Sequence, residues 1–164
     1  MLYLSLGTNM GNRQENLEVA IQAIQKQIGT IVSQSAFIST EPWGFESDNG
    51  FLNACVAVET ALAPEEVLRR CQLIERRMGR LQKSTVQTLP DGTKKAVYHD
   101  RIIDIDILVY DNHIINTPKL TIPHPLMHRR RFVLEPLDQI AHDLKIPGTT
   151  MSVGGMLSTL EADS

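Results

Sequence analysis

An α+β sandwich is what the sequence predicts, with its elements in the order β-α-β-β-α-β and two helices on one face of a mainly antiparallel sheet. Two segments, 12–29 and 64–79, repeat apolar residues at helical spacing. Four others, 2–8, 30–40, 51–60 and 102–110, are short, apolar and rich in β-branched residues. The second and third strands follow one another directly, and this interleaving is the split-βαβ, ferredoxin-like pattern.

Each element has a local reason. The first strand, LYLSLGT, closes where GTNMGN supplies turn residues. Asn12, with Glu15 three residues on, gives a helix start of the capping-box kind. Leu17, Ala20, Ile21, Ile24 and Ile28 then recur at helical spacing until Gly29. Ile31, Val32, Phe37, Ile38 and Thr40 predict a second strand over 30–40, before the Pro-, Gly- and Asp-rich loop EPWGFESDNG. FLNACVAVET reads as the third strand. Pro64, followed by Glu65 and Glu66, suits a second helix N-terminus, with Val67, Leu68, Cys71, Ile74 and Met78 as its apolar stripe and Gly79 at its end. The fourth strand, 102–110, turns at Asp111 and Asn112 into 113–122, expected as its hairpin partner. Beyond this lies a C-terminal extension. The polar segment of about 81–100 reads as a long mobile loop with a hairpin signal around Pro90, Asp91 and Gly92. A chain of 164 residues is expected to form one domain spanning 1–164.

Bulk properties narrow the function classes. The net charge is −3, and the pI of 5.9 argues against a general polyanion-binding surface. No apolar run approaches the roughly 20 residues of a membrane span, and the N-terminus lacks the basic and long apolar regions of a signal peptide. Cys55 and Cys71 show no CxxC spacing and read as buried thiols of a reducing compartment, so a cytoplasmic location is expected.

Three constellations carry chemistry. In RIIDIDILVY, strand alternation assigns Ile103, Ile105, Ile107 and Val109 to one face, and Ile102, Asp104, Asp106, Leu108 and Tyr110 to the other. The two carboxylates project the same way, with Cα atoms about 6.5–7 Å apart. A solvated strand face is one reading. A cleft holding Mg²⁺ is the other, because that ion takes one or two carboxylates and completes its shell with water and phosphate oxygens. Phe51 and Asn53 share a face of the third strand, where a ring stacks on a flat heterocycle and an amide reads its polar edge; a core ring and a loop-bonded amide are the plainer alternative. Arg80, Arg101, His124, His128 and the run Arg129, Arg130, Arg131 can clamp an anionic substrate, since arginine matches phosphate geometry; a solvated surface run or a weak RNA contact is the alternative. GxxxxGK[ST] is absent, so side chains would have to hold any nucleotide.

Taken together, SLGTNMGNR (5–13), TEPWGF with FLN (40–53), IERRMGR (74–80), RIIDIDIL (101–108) and IPHPLMHRRRF (122–132) resemble the 6-hydroxymethyl-7,8-dihydropterin pyrophosphokinase family of folate biosynthesis, in its order and near its spacing. The resemblance implies Mg²⁺-dependent transfer of pyrophosphate from ATP to the pterin hydroxymethyl oxygen, with release of AMP. By position it implies two Mg²⁺ ions on Asp104 and Asp106, and a pterin between the rings of Phe51 and Phe132, bordered by Thr40, Trp43, Asn53 and Asp104. It also implies ATP contacts from Glu75, Arg80, Arg101, Ile107, His124 and Arg130, with Arg80, Arg101, Asp104 and Asp106 as the catalytic set. A dedicated general base is not evident; Asp106 and a metal-acidified substrate hydroxyl both fit. The partners implied are these two small molecules, with no nucleic acid or membrane, and a monomer. The chain departs from the family at Gln82, where a second arginine is common and Lys83 stands next, at Pro125, where some members have an aromatic, and in its longer 81–100 loop. A non-catalytic ferredoxin-like module binding RNA or a small ligand is the rival class. The acidic pI and the lack of an RNA-binding aromatic-basic strand weigh against it.

Overall fold

The computed structural model describes residues 1–40, 50–79, 85–88, 90–92, 94–97 and 102–162. Trp43, Arg80 and Arg101 lie outside the described residues, as do 81–84, 89, 93 and 98–100 of the 81–100 segment. The main sheet is built from β1 (Leu2–Thr8), β2 (Thr30–Gln34), β3 (Ile38–Ser39), β4 (Leu52–Glu59) and β7 (Asp104–Tyr110). Between these strands run α1 (Arg13–Gln27) and α2 (Pro64–Met78), then the hairpin β5 (Thr85–Thr88) and β6 (Lys94–Val97). After β7 come β8 (Ile115–Asn116), β9 (Thr121–Ile122), α3 (Arg131–Ala141) and α4 (Val153–Ala162). The sheet order is β2-β4-β1-β7, antiparallel throughout, with β3 continuing along β4 beyond β2. This is the expected βαββαβ arrangement.

Local signals place the two main helices. The Asn12 side chain accepts the Glu15 N–H at 3.1 Å, which supplies a partner for one orphan donor of the first turn of α1. Pro64 opens α2, and the Gly79 N–H closes it on the Glu75 carbonyl at 2.8 Å. Leu17, Ala20 and Ile24 of α1 join Val67, Cys71 and Ile74 of α2 against Leu2, Leu4, Leu6, Ala54, Val56, Val58, Ile103, Ile105 and Ile107. That layer is the main core, each large side chain contributing about 1.5–3 kcal/mol by leaving water.

The C-terminal extension supplies a second layer on the opposite face. Val133, Leu134 and Leu137 of α3, with Val153 and Met156 of α4, pack on Cys55, Leu108 and Val109. The two layers have their own reason in β7. Leu4 faces Ile107 and Tyr3 faces Val109, so Leu108 has no counterpart on β1. This bulge breaks the expected alternation: Leu108 and Val109 both serve the second core, and Tyr110 returns to the first, its hydroxyl donating to the Leu62 carbonyl. Two further expectations are corrected. The 30–40 strand is interrupted at Ser35, whose N–H and Oγ bond the Cys55 carbonyl and N–H, both at 2.9 Å, so a side chain stands in for one ladder partner. Segment 113–122 pairs within itself as β8 and β9 rather than with β7, because the Thr117 hydroxyl and main chain close their own turn on Leu120.

Candidate functional site

The site is built on the central strand. Gly7 of β1 lies opposite Asn53 of β4 on one side and Asp104 of β7 on the other; Ser5 lies between Cys55 and Asp106 in the same way. Since Leu2, Leu4 and Leu6 fill the main core, strand alternation turns Ser5 and Gly7 to the other face, with Asn53, Asp104 and Asp106 beside them. Asn53 and Asp104 therefore flank Gly7 across two strand spacings, about 10 Å between their Cα atoms. The second layer covers Cys55 and Leu108 on this face, and both aspartates at its other end are half-buried.

On the β4 side, Phe51 is 38% exposed and belongs to neither core, whereas Asn53 is 3% exposed. Thr40 joins them: its N–H donates to the Phe51 carbonyl at 2.8 Å, and the Asn53 amide reaches its hydroxyl at 3.5 Å. A ring held open beside a buried amide is suited to a flat ligand with a polar edge.

On the β7 side, the bulge at Leu108 anchors a basic segment. The His124 N–H donates to the Leu108 carbonyl at 2.9 Å, which sets the imidazole beside the strand of aspartates. Its Nδ1 accepts the Leu126 N–H at 3.2 Å, so the neutral ring carries its proton on Nε2 and presents a donor. Burial lowers the His124 pKa, with Arg130 adding to the shift and Asp106 opposing it. His124 is thus within electrostatic reach of both Asp106 and Arg130. The Arg130 guanidinium lies 5.6 Å from the centroid of the Phe132 ring, which is 39% exposed at the start of α3. Because the folded pKa is below the unfolded one, the neutral ring's contribution to stability is complete above the ordinary value of about 6.5 and is lost as pH falls below it. On going from pH 7 to pH 5 the wild-type melting temperature should therefore fall further than that of His124→Gln. Thermal melts at the two pH values test this, and equal falls would contradict it.

The end of α2 meets the same strand. Glu75 accepts the Ile105 N–H at 2.9 Å, holding the outer edge of β7 against the helix. Ladder alternation turns the main chain of Ile107 to that same open edge. The Ile107 side chain, however, lies in the main core, so a nucleotide can meet only its backbone. A network that the sequence did not single out fixes the strand's entry. The buried Thr8 hydroxyl donates to the Ile102 carbonyl, where pairing of β1 with β7 ends at Gly7 and Asp104. Asn16 of α1 in turn donates to Thr8 Oγ1 at 3.2 Å and to the Met10 carbonyl at 2.7 Å. Each such bond contributes about 1 kcal/mol net, and together they tie the GTNMGN turn to the residue preceding Ile103 and Asp104.

Of the sequence-predicted set, Thr40, Phe51, Asn53, Asp104 and Asp106 therefore lie along one sheet face, with Asp106 and Arg130 each within electrostatic reach of His124; Glu75 lies at the neighbouring edge. Ser5 and Gly7 complete the face. Their signal in the sequence was the pair of small residues alternating with leucines in the first strand. As a metal site, the donor set is two hard carboxylates two residues apart, and among the described residues no group of three His, Cys, Asp or Glu side chains is placed to hold an ion. That composition suits an ion that completes its shell with water and phosphate oxygens, which is the habit of Mg²⁺.

Comparison with known proteins gives a consistent result. A family model described as 7,8-dihydro-6-hydroxymethylpterin-pyrophosphokinase matches residues 3–142. The 2-amino-4-hydroxy-6-hydroxymethyldihydropteridine pyrophosphokinase of Porphyromonas gingivalis is 44% identical over 142 residues, 86% of this chain and 90% of the relative. The protein of the same name from Haemophilus influenzae is 36% identical over 148 residues, 90% of this chain and 85% of the relative. Among solved structures, Plasmodium falciparum HPPK-DHPS with pteroate superposes with a TM-score of 0.74 at 16% identity, a likeness of fold. It covers 96% of this chain, which spans 44% of that longer chain.

Proposed function

Because the chain belongs to the 7,8-dihydro-6-hydroxymethylpterin-pyrophosphokinase family, we propose that it transfers pyrophosphate from ATP to 6-hydroxymethyl-7,8-dihydropterin in folate biosynthesis. In this reaction the pterin hydroxymethyl oxygen bonds to the β-phosphorus of ATP. The bond from that phosphorus to the bridging oxygen breaks, AMP leaves with the electron pair, and the hydroxyl proton is released. The observation that carries the reading is the row Asn53–Gly7–Asp104, which sets a buried amide and a carboxylate pair on one sheet face.

The pterin would lie on this face, its edge read by Asn53 and Thr40 and its ring stacked on Phe51, with Phe132 as the second ring and Trp43 and Asp104 at its border. The nucleotide would occupy the β7 side. There His124 donates from Nε2 to a phosphate oxygen, Arg130, Arg80 and Arg101 neutralise phosphate charge, and the open edge at Glu75 and Ile107 receives the base. Phosphoryl-type transfer asks a protein mainly for alignment and charge neutralisation, and strand-mounted side chains provide the first. Asp104 and Asp106 would hold two Mg²⁺ ions, which when bound supply positive charge to the phosphate oxygens and acidify the substrate hydroxyl. The two free, buried thiols, Cys55 and Cys71, fit a reducing compartment. Among the described residues no helix is long and apolar enough to cross a membrane. We place the protein in the cytoplasm as a single catalytic domain over 1–164, acting as a monomer on small molecules, without a nucleic-acid partner.

Metal removal tests the reading. EDTA should abolish turnover and excess Mg²⁺ should restore it, with activity continuing to rise as Mg²⁺ exceeds ATP, as two ions require. Full activity in EDTA would contradict the assignment of Asp104 and Asp106.

A further inference from the structure

Gly7 has no conformational reason to be glycine. Its φ lies outside the left-handed region, so any residue could adopt its backbone, and glycine in the middle of a paired strand weakens the strand. What the position lacks is space for a side chain. A Cβ built there would stand 2.9 Å from Asn53 Oδ1 and 3.8 Å from the Phe51 ring. A glycine in an otherwise ordinary strand marks a place where something approaches the backbone closely.

We infer that Gly7 is a specificity-determining residue: it is the floor on which the flat heterocycle lies, with the β1 backbone against one part of the ring system. The inference rests on the pterin reading of this site and deepens it. At this end of the face β1 presents only Ser5 and Gly7, while β4 presents Phe51 and Asn53 and β7 presents Asp104 and Asp106. The result is a trough with a backbone floor between an amide wall and a carboxylate wall, about 10 Å across. A planar ring can lie along it with its polar edge at Asn53 and its hydroxymethyl arm towards the aspartates. A methyl group at position 7 would project roughly 1.5 Å from the Cα into that plane.

The rival explanation is that Gly7 merely leaves room for the Asn53 amide, which is the flexible end that would have to move. A cycle of Gly7→Ala, Asn53→Ala and the double variant separates the two. Affinities for 6-hydroxymethyl-7,8-dihydropterin and for a non-hydrolysable ATP analogue are measured by titration calorimetry, with melting temperatures alongside. Gly7→Ala should weaken the pterin by at least about tenfold and leave the nucleotide within about twofold, and any fall in melting temperature caused by the 2.9 Å approach to Asn53 Oδ1 should disappear in the Asn53→Ala background. The same loss should recur when alanine is introduced at position 7 in the Asn53→Ala background. Loss of that effect in the Asn53→Ala background, or equal weakening of both ligands, would overturn the inference while leaving the functional reading intact. A wild-type protein that binds no pterin would overturn both.

Discussion

Asp104→Ala and Asp106→Ala are each expected to lower turnover at least ~100-fold, the scale of losing one preorganised electrostatic contact at a developing charge. Both side chains are half-buried rather than in either core, so their removal leaves the packing of β7 to Ile105, Ile107 and Leu108. The melting temperature should accordingly stay close to that of the wild type. The loss should appear chiefly in kcat, because the carboxylates act on charge that moves between ATP and the pterin rather than on either ligand's apolar surface. Asparagine in place of aspartate keeps shape and hydrogen bonding but removes the charge, so it should be nearly as damaging as alanine. Steady-state kinetics with parallel thermal melts separate a charge defect from a folding defect. Near-normal turnover in both alanine variants would remove the metal-site assignment.

Phe51→Ala is expected to weaken pterin binding by about 30-fold, from roughly 2 kcal/mol of lost ring contact and stacking. The ring stands outside both cores, and its main chain, rather than its side chain, makes the bond to Thr40. The fold should therefore tolerate the change. ATP affinity should hold within about twofold, because the nucleotide side of the proposed site is built from β7, the end of α2 and the 122–132 segment. Titrations with each ligand separately distinguish the outcomes. Equal losses for pterin and ATP would mean that the substitution disturbs the sheet rather than the ring stack, and would contradict the role given to Phe51.

Legibility in the sequence followed how local each determinant is. The extents of α1 and α2 could be read because Asn12, Pro64, Gly29 and Gly79 act within a turn of themselves and the apolar stripes act along one helix. Asp104, Asp106, Phe51 and Asn53 were legible as same-face pairs for the same reason, since the strand period is local. Features that depend on a partner strand were not. The bulge at Leu108 follows from the register of β7 on β1, and the break at Ser35 follows from a side chain standing in for a ladder group. That register also places Gly7 between Asn53 and Asp104, which no spacing within one segment can reveal. Glu75 could be placed near a helix end, but its bond to the Ile105 N–H needs the helix and the strand edge to meet in space. The second layer was hidden for a similar reason: α3 and α4 have apolar sides whose destination is fixed only once the first face of the sheet is occupied by α1 and α2.

Transfer of a pyrophosphoryl group, as opposed to a phosphoryl group, is read directly from the nucleotide product. The protein is incubated with ATP, Mg²⁺ and 6-hydroxymethyl-7,8-dihydropterin, and the nucleotides are separated and quantified against the pterin consumed. AMP should appear in equal amount to the pterin diphosphate, with none formed when the pterin is omitted. ADP as the product, or no pterin-dependent nucleotide product at all, would contradict the account.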